Sequence, residues 1–179
     1  FLHRVLRPRI AEELFILNAF CLASVISEEV EEIKKLQAIL PAWNLFINVA
    51  GYERYPQEEV EWKEEQVREL AMQEGLELKD TIGGVSAACL LSTLEKAADK
   101  DRRLRFKESC QVLPFSGTLD KMPELILCMI TLAEKYGYPS TDLSIYIQPV
   151  IQGCQCECEV IFPYIPGETK EIDLVRNLF

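Results

Sequence analysis

Two stretches of strict alternation constrain this chain more than anything else in it. Over Leu143 to Ile151, apolar side chains fall at Leu143, Ile145, Ile147 and Ile151. Over Cys154 to Phe162 they fall at Cys154, Cys156, Cys158, Val160 and Phe162. Successive side chains of a strand point to opposite faces, so each run reads as a strand with one buried face. Gln152-Gly153 between them is a turn signal, and the pair is expected to form a hairpin on a two-residue loop. In that register Ile151 faces Cys154, Ile147 faces Cys158, Ile145 faces Val160 and Leu143 faces Phe162. The other face collects Ser144, Tyr146 and Gln148 against Gln155, Glu157 and Glu159. Pro149 then falls opposite Cys156, where it has no N–H to give. A bulge, or a four-residue loop from Val150 to Gly153, would relieve this; the longer loop shifts the partners by two and keeps the faces.

The three clustered cysteines invite a metal or redox reading, and strand geometry opposes it. Thiols at i, i+2 and i+4 share a face but stand about 6.5–7 Å apart along it. Tetrahedral zinc needs each sulfur about 2.3 Å from the metal. Cys154, Cys156 and Cys158 are therefore expected to be buried, inert and metal-free. Glu157 and Glu159, also two apart, read as a solvent-facing pair before they read as a general acid and base. The chain has a single histidine, His3, which removes any multi-histidine site or His-based triad.

The rest of the chain alternates strands and helices. Ser27 is placed to cap a helix carrying Val30, Ile33, Leu36 and Leu40, which Pro41 ends. Asn44 to Ala50 reads as a strand closed by Gly51, and Pro56 begins a long acidic helix ending at Gly75. Gly83-Gly84 breaks the chain before a helix expected over Val85 to Ala98. A charged loop, Ala98 to Arg103, leads to an extended segment from Arg105 to Phe115 that Gly117 ends. Leu119 to Tyr136 is a helix with Met122, Leu125, Ile126, Met129, Ala133 and Tyr136 at core spacing, and Gly137 lies where a left-handed terminus belongs. The two strand–glycine–helix units followed by the hairpin predict an α+β fold, an antiparallel sheet with helices packed on one face in a ferredoxin-like arrangement. The Ile/Cys face of the hairpin is expected to pack on Leu125, Ile126 and Met129. A single domain over 1–179 is expected, with an opening segment (1–26), a first strand–helix half (27–117) and a second half with the hairpin and a last helix (118–179). Because the chain opens on Phe1 and closes on Phe179 inside a helical pattern, it is expected to be a piece of a longer protein.

Composition excludes several classes. With 29 Asp and Glu against 19 Lys and Arg, the net charge is −10, which opposes nucleic acid and anionic membranes as partners. No apolar run is long enough for a membrane span. The 7 cysteines are mostly scattered in apolar patterns, unlike a secreted disulfide framework, and point to a reducing, cytoplasmic setting. No glycine-rich phosphate loop is present.

Several segments nonetheless carry a family resemblance. Tyr146-Ile147-Gln148-Pro149, Gln152-Gly153 and Cys154 to Glu159 resemble the cap region of FAD-linked oxidases of the vanillyl-alcohol oxidase and p-cresol methylhydroxylase type. Leu6-Arg7-Pro8 with Leu14 to Asn18 is similar to the start of that cap. Trp43 to Gly51 with the acidic helix is similar to its strand–glycine–helix unit. Glu171 to Arg176 is similar to the helix leading to its flavin-contacting end. The resemblance implies an FAD-binding domain elsewhere in the same protein and a cap sheet that covers the isoalloxazine ring. It also implies a small-molecule substrate (an alcohol, a phenol or a hydroxy acid) that gives a hydride to the flavin. Tyr146, Gln148, Gln155 and Glu157 are then the substrate-facing set. FAD is expected in the full-length protein and not on this chain alone, which lacks a phosphate cradle. Gln155 and Glu157 stand where a basic residue or histidine is expected, leaving the substrate class open, and no residue is assigned to a covalent flavin link. The alternative is a non-enzymatic ferredoxin-like domain for small-molecule sensing or dimerisation, with a second copy of the chain as partner.

Overall fold

The computed structural model describes residues 1–52, 54–95, 101–150 and 154–179. In chain order the elements are α1 (Leu2–Leu6), β1 (Glu13–Asn18), α2 (Ala19–Ile26), α3 (Val30–Ile39), β2 (Trp43–Asn48), α4 (Pro56–Gln73), β3 (Thr81–Ile82), β4 (Val85–Ser86), α5 (Ala87–Glu95), β5 (Ser109–Gly117), α6 (Met122–Lys135), β6 (Ser144–Val150), β7 (Gln155–Tyr164) and α7 (Thr169–Arg176). The fold is α+β. Five strands form an antiparallel sheet in the order β2-β1-β6-β7-β5, and β3 and β4 make a separate small hairpin. Both β5 and β6 pair antiparallel with β7, so they run parallel to each other with β7 between them and α6 as the connection. That is the split β–α–β unit of ferredoxin-like sheets.

The β6–β7 register is the one expected from a two-residue loop. Ile147 faces Cys158, Ile145 faces Val160, Tyr146 faces Glu159, Gln148 faces Glu157 and Pro149 faces Cys156. The register shifted by two is not adopted. On its other side β6 pairs with β1 through Ile147 and Tyr146, so Pro149 lies past that ladder and has no bond there to lose. Ile151 and the Gln152-Gly153 turn lie outside the described residues, as do Ala98 to Lys100 of the charged loop.

Four expectations are corrected. The opening segment contains a sheet strand: β1 pairs with both β2 and β6 and joins the two halves. Its core run Leu14-Phe15-Ile16-Leu17 shows no polar alternation because both of its faces are covered, as in strands buried on two sides. Second, helices lie on both faces of the sheet. Ile145, Ile147, Cys156, Cys158, Val160 and Phe162 pack with Met122, Ile126 and Ala133 of α6 and Val175 of α7. Phe15 and Leu17 pack on the opposite side with α2, α3 and Leu90 of α5. Leu125, expected in the α6 layer, is 38% exposed. Third, Val85-Ser86 is a strand: Gly83 and Gly84 hold φ of +57° and +79°, the left-handed values a tight hairpin turn needs, and α5 starts only at Ala87. Fourth, the charged loop ends in a 3-10 turn at Arg102–Leu104 and bends follow over 105–108, so the extended segment starts only at Ser109, in β5. The buried Arg105 guanidinium donates to the carbonyls of Ser24 (2.8 Å) and Val25 (3.3 Å) and to Glu28 (2.7 Å). These bonds satisfy the C-terminal carbonyls of α2 and hold the turn against it.

One side chain fixes the sheet to α2. The Asn18 side-chain oxygen accepts from the Cys21 N–H and the Ile145 N–H, both at 3.0 Å, and its Nδ2 donates to the Leu143 carbonyl at 2.7 Å. One side chain thus caps α2 and extends the β1–β6 ladder past the end of β1. Ser27 does not cap α3 at its first turn; its hydroxyl accepts from the Glu29 N–H two residues on, a local turn that precedes the helix.

Candidate functional site

The polar face of the hairpin turns towards α2. Between that face and a roof of α2, α5 and the Arg102–Leu104 turn lies a cavity of about 760 Å3. Its floor carries Ser144, Tyr146 and Gln148 of β6 and Glu159 and Ile161 of β7, with Phe15 of β1. The aromatic part of the floor is stacked: Phe15 lies on Phe46 at 5.0 Å and on Tyr146 at 6.1 Å between ring centroids, geometry in which rings attract beyond simple burial.

The Tyr146 hydroxyl donates to Gln148 Oε1 at 2.9 Å. Burial pushes the Tyr146 pKa up to about 12, and the carboxylates of Glu13, Glu159 and Glu157 with the Cys21 thiol add to the shift. The phenol stays protonated near neutrality and remains a donor. Since the Gln148 oxygen is engaged, its NH2 is left for a ligand. Glu159 is paired with Arg103 at 2.7 Å, and Asp101 Oδ1 accepts from the Arg103 N–H at 3.0 Å. The Arg102 guanidinium donates to the Thr93 carbonyl of α5. Burial also pushes the Cys21 thiol on the roof up to about 11, against the opposing effect of a Ser144 hydrogen bond; a thiol so raised is a poor nucleophile at neutral pH.

Tyr146 and Gln148 therefore meet in one cavity. Glu157 is exposed opposite Gln148, and Gln155 is half-buried opposite Val150; neither lines the cavity, and they continue the same face outward. Glu159 occupies the acidic position inside. Arg102 and Arg103 are the residues that sequence reasoning missed. Their only signal was a run of charges read as loop, and what brings them over the sheet is the Arg105 anchor on α2.

On the reverse face Cys156 and Cys158 are 0% and 1% exposed. Burial pushes both thiols up, Cys158 to about 12. Cys154 is exposed, contrary to expectation, because β7 begins one residue later at Gln155. Among the described residues no three His, Cys, Asp or Glu side chains converge as metal ligands, and no helix is long and apolar enough to cross a membrane. Compared with models of known protein families the chain matches none, and no curated protein matches it.

Proposed function

We propose that the chain is the substrate-covering cap region of an FAD-dependent oxidoreductase acting on an alcohol, a phenol or a hydroxy acid, with Tyr146 and Gln148 facing the substrate. The observation that supports this reading is the cavity of about 760 Å3 over the polar face of the hairpin. Its size, and a lining that sets Phe15, Leu17, Val25, Leu91 and Ile161 beside charged and hydrogen-bonding side chains, suit a small polar organic molecule. Bound flavin supplies the hydride acceptor. Among the described residues no glycine lines the cavity, whereas a pyrophosphate calls for a glycine-rich loop at a helix N-terminus. The cofactor would thus be held by a separate FAD-binding domain of the same protein, and this chain's residues act on the substrate. The Tyr146 phenol fixes the Gln148 amide, which donates to a substrate oxygen and orients the reacting carbon; Gln155 and Glu157 form the outer rim of the same face. A cytoplasmic setting belongs to the same proposal, because Cys156 and Cys158 are packed as apolar residues.

The test is kinetic, in protein carrying the flavin domain. Gln148→Ala is expected to lower kcat/KM by an amount worth up to a few kcal/mol, with the melting temperature nearly unchanged; Glu157→Ala should act more weakly. Unchanged kinetics in both, with flavin bound, would remove this face from the active site. One observation favours the non-enzymatic alternative: α2 and α5 of this same chain roof the cavity, so it can enclose a ligand without a second domain. Flavin-free protein that still binds a small molecule at Gln148 would select that alternative.

A further inference from the structure

A second, shallow and open depression, of about 470 Å3, lies at the start of α4 and shares no residue with the first. Its wall is Tyr52, Arg54, Tyr55, Glu58, Glu59 and Trp62. We propose that it binds a methylated, quaternary ammonium group. Three aromatic side chains stand exposed around it, Tyr52 at 52%, Tyr55 at 66% and Trp62 at 57%, whereas the other exposed aromatics of the described residues, Trp43, Tyr136 and Phe179, line neither cavity. The frame beneath them is built. A Cβ on Gly51 would come within 1.9 Å of the Pro56 carbonyl oxygen, so only glycine lets the loop close this tightly on the helix. The Tyr52 N–H donates to Glu59 at 2.8 Å, and the Tyr52 hydroxyl bonds to the Glu12 carboxylate, which pushes its pKa up. Lys63, 7% exposed, donates to the Ala50 carbonyl and pairs with Glu59, both at 2.6 Å.

That frame already holds one ammonium in the manner proposed. Lys63 Nζ lies 5.6 Å from the centre of the Tyr52 ring with the Glu59 carboxylate beside it, an aromatic face and a carboxylate sharing a cation. Glu58 and Trp62, one helical turn apart on α4, line the depression together with Tyr55 and offer the same two kinds of group, a carboxylate and aromatic rings, to a second cation. Glu58 and Glu59 offset the positive end of the helix, and Glu61 adds to the negative field, while Glu64 and Glu65 are paired with Arg68. A quaternary ammonium suits such a site better than a primary amine, since it is weakly hydrated and gives its surface to the rings. Arg54 is the opposing charge in the wall, and its effect is a second handle on the proposal.

The experiment titrates the chain with choline and reads Trp62 fluorescence in a Trp43→Phe background. Saturable quenching is expected, about three-fold or more weaker in Glu58→Gln and tighter in Arg54→Gln. The uncharged isostere 3,3-dimethylbutan-1-ol should not saturate the signal. Equal responses to choline and the isostere, no saturation by choline, or affinities unmoved by both charge variants would overturn the proposal. These substitutions are at exposed positions, and unchanged thermal melts would show that a lost signal is not lost folding.

Discussion

The two faces of the β6–β7 hairpin come from the same strands and enclose different things. On the α6 side Ile145, Ile147, Cys156, Cys158, Val160 and Phe162 close against helices. On the α2 side Ser144, Tyr146, Gln148 and Glu159 stand under a roof that leaves a cavity. Alternation assigns residues to faces, but the helix chemistry opposite each face decides whether it becomes core. α6 presents Met122, Ile126 and Ala133 to its face. Over the polar face the chain places Arg102, Arg103, Asp101 and Ser24 beside Val25 and Leu91, and the polar groups need partners and do not interdigitate. Stability should therefore reside on the cysteine side and ligand chemistry on the other.

The sharpest way to break this contrast is Phe162→Ala. Phe162 is fully buried and meets Tyr138 and Phe179 edge-on at 5.4 and 5.5 Å, so truncation should cost about 3–5 kcal/mol in denaturant unfolding. A loss below about 1 kcal/mol would mean that the α6 face is not the stabilising one. Next comes acid. Burial opposes ionisation of Glu171, but the Lys107 ammonium at 2.9 Å and the Ile165 N–H at 2.7 Å overcome it and hold the carboxyl below its usual range. A carboxyl depressed in the folded state adds stability above the unfolded value of about 4.3 and loses it as pH falls through the folded value. Wild type should lose more stability than Glu171→Gln across that acid window, the difference vanishing at the lowest pH.

On the polar face the effects should be smaller. Tyr146→Phe removes one hydrogen bond and should cost about 0.5–1.5 kcal/mol. Glu157→Ala, at an exposed position, should stay within about 0.5 kcal/mol. Thiol chemistry sharpens the contrast without mutation: Cys154 should react promptly with a thiol reagent, while Cys156 and Cys158 wait for unfolding. Labelling of all three at one rate would erase the distinction between the faces.

The legible parts of the sequence were those where one physical requirement acts alone. The two faces of the hairpin followed from side-chain period, α4 from Pro56 and Gly75 at its ends, and α6 from its apolar spacing with Gly137 after it. What stayed hidden needed two requirements at once. β1 has no alternation because it is covered twice, and its role as the bridge between halves depends on partners far along the chain. Gly83-Gly84 signalled a turn, but a two-strand hairpin with strands this short leaves no period to read. The candidate site was half visible. Tyr146 and Gln148 were placed by the strand, whereas Arg103 meets Glu159 across 56 positions of the chain, in a turn whose next residues include the long-range Arg105 anchor on α2.

The position of β7 between β5 and β6 has a consequence for biosynthesis. A ribosome delivers β5 well before β7, and until residues 155–164 emerge β5 has no neighbour in the sheet, since β7 is its pairing partner. During that interval its Val112 and Leu113 are an open invitation to another nascent chain. Pro114 sits in the middle of the strand, and a proline there denies a foreign strand one hydrogen bond. In the finished sheet β5 is at the edge, so the same residue that guards the waiting strand costs the completed ladder little.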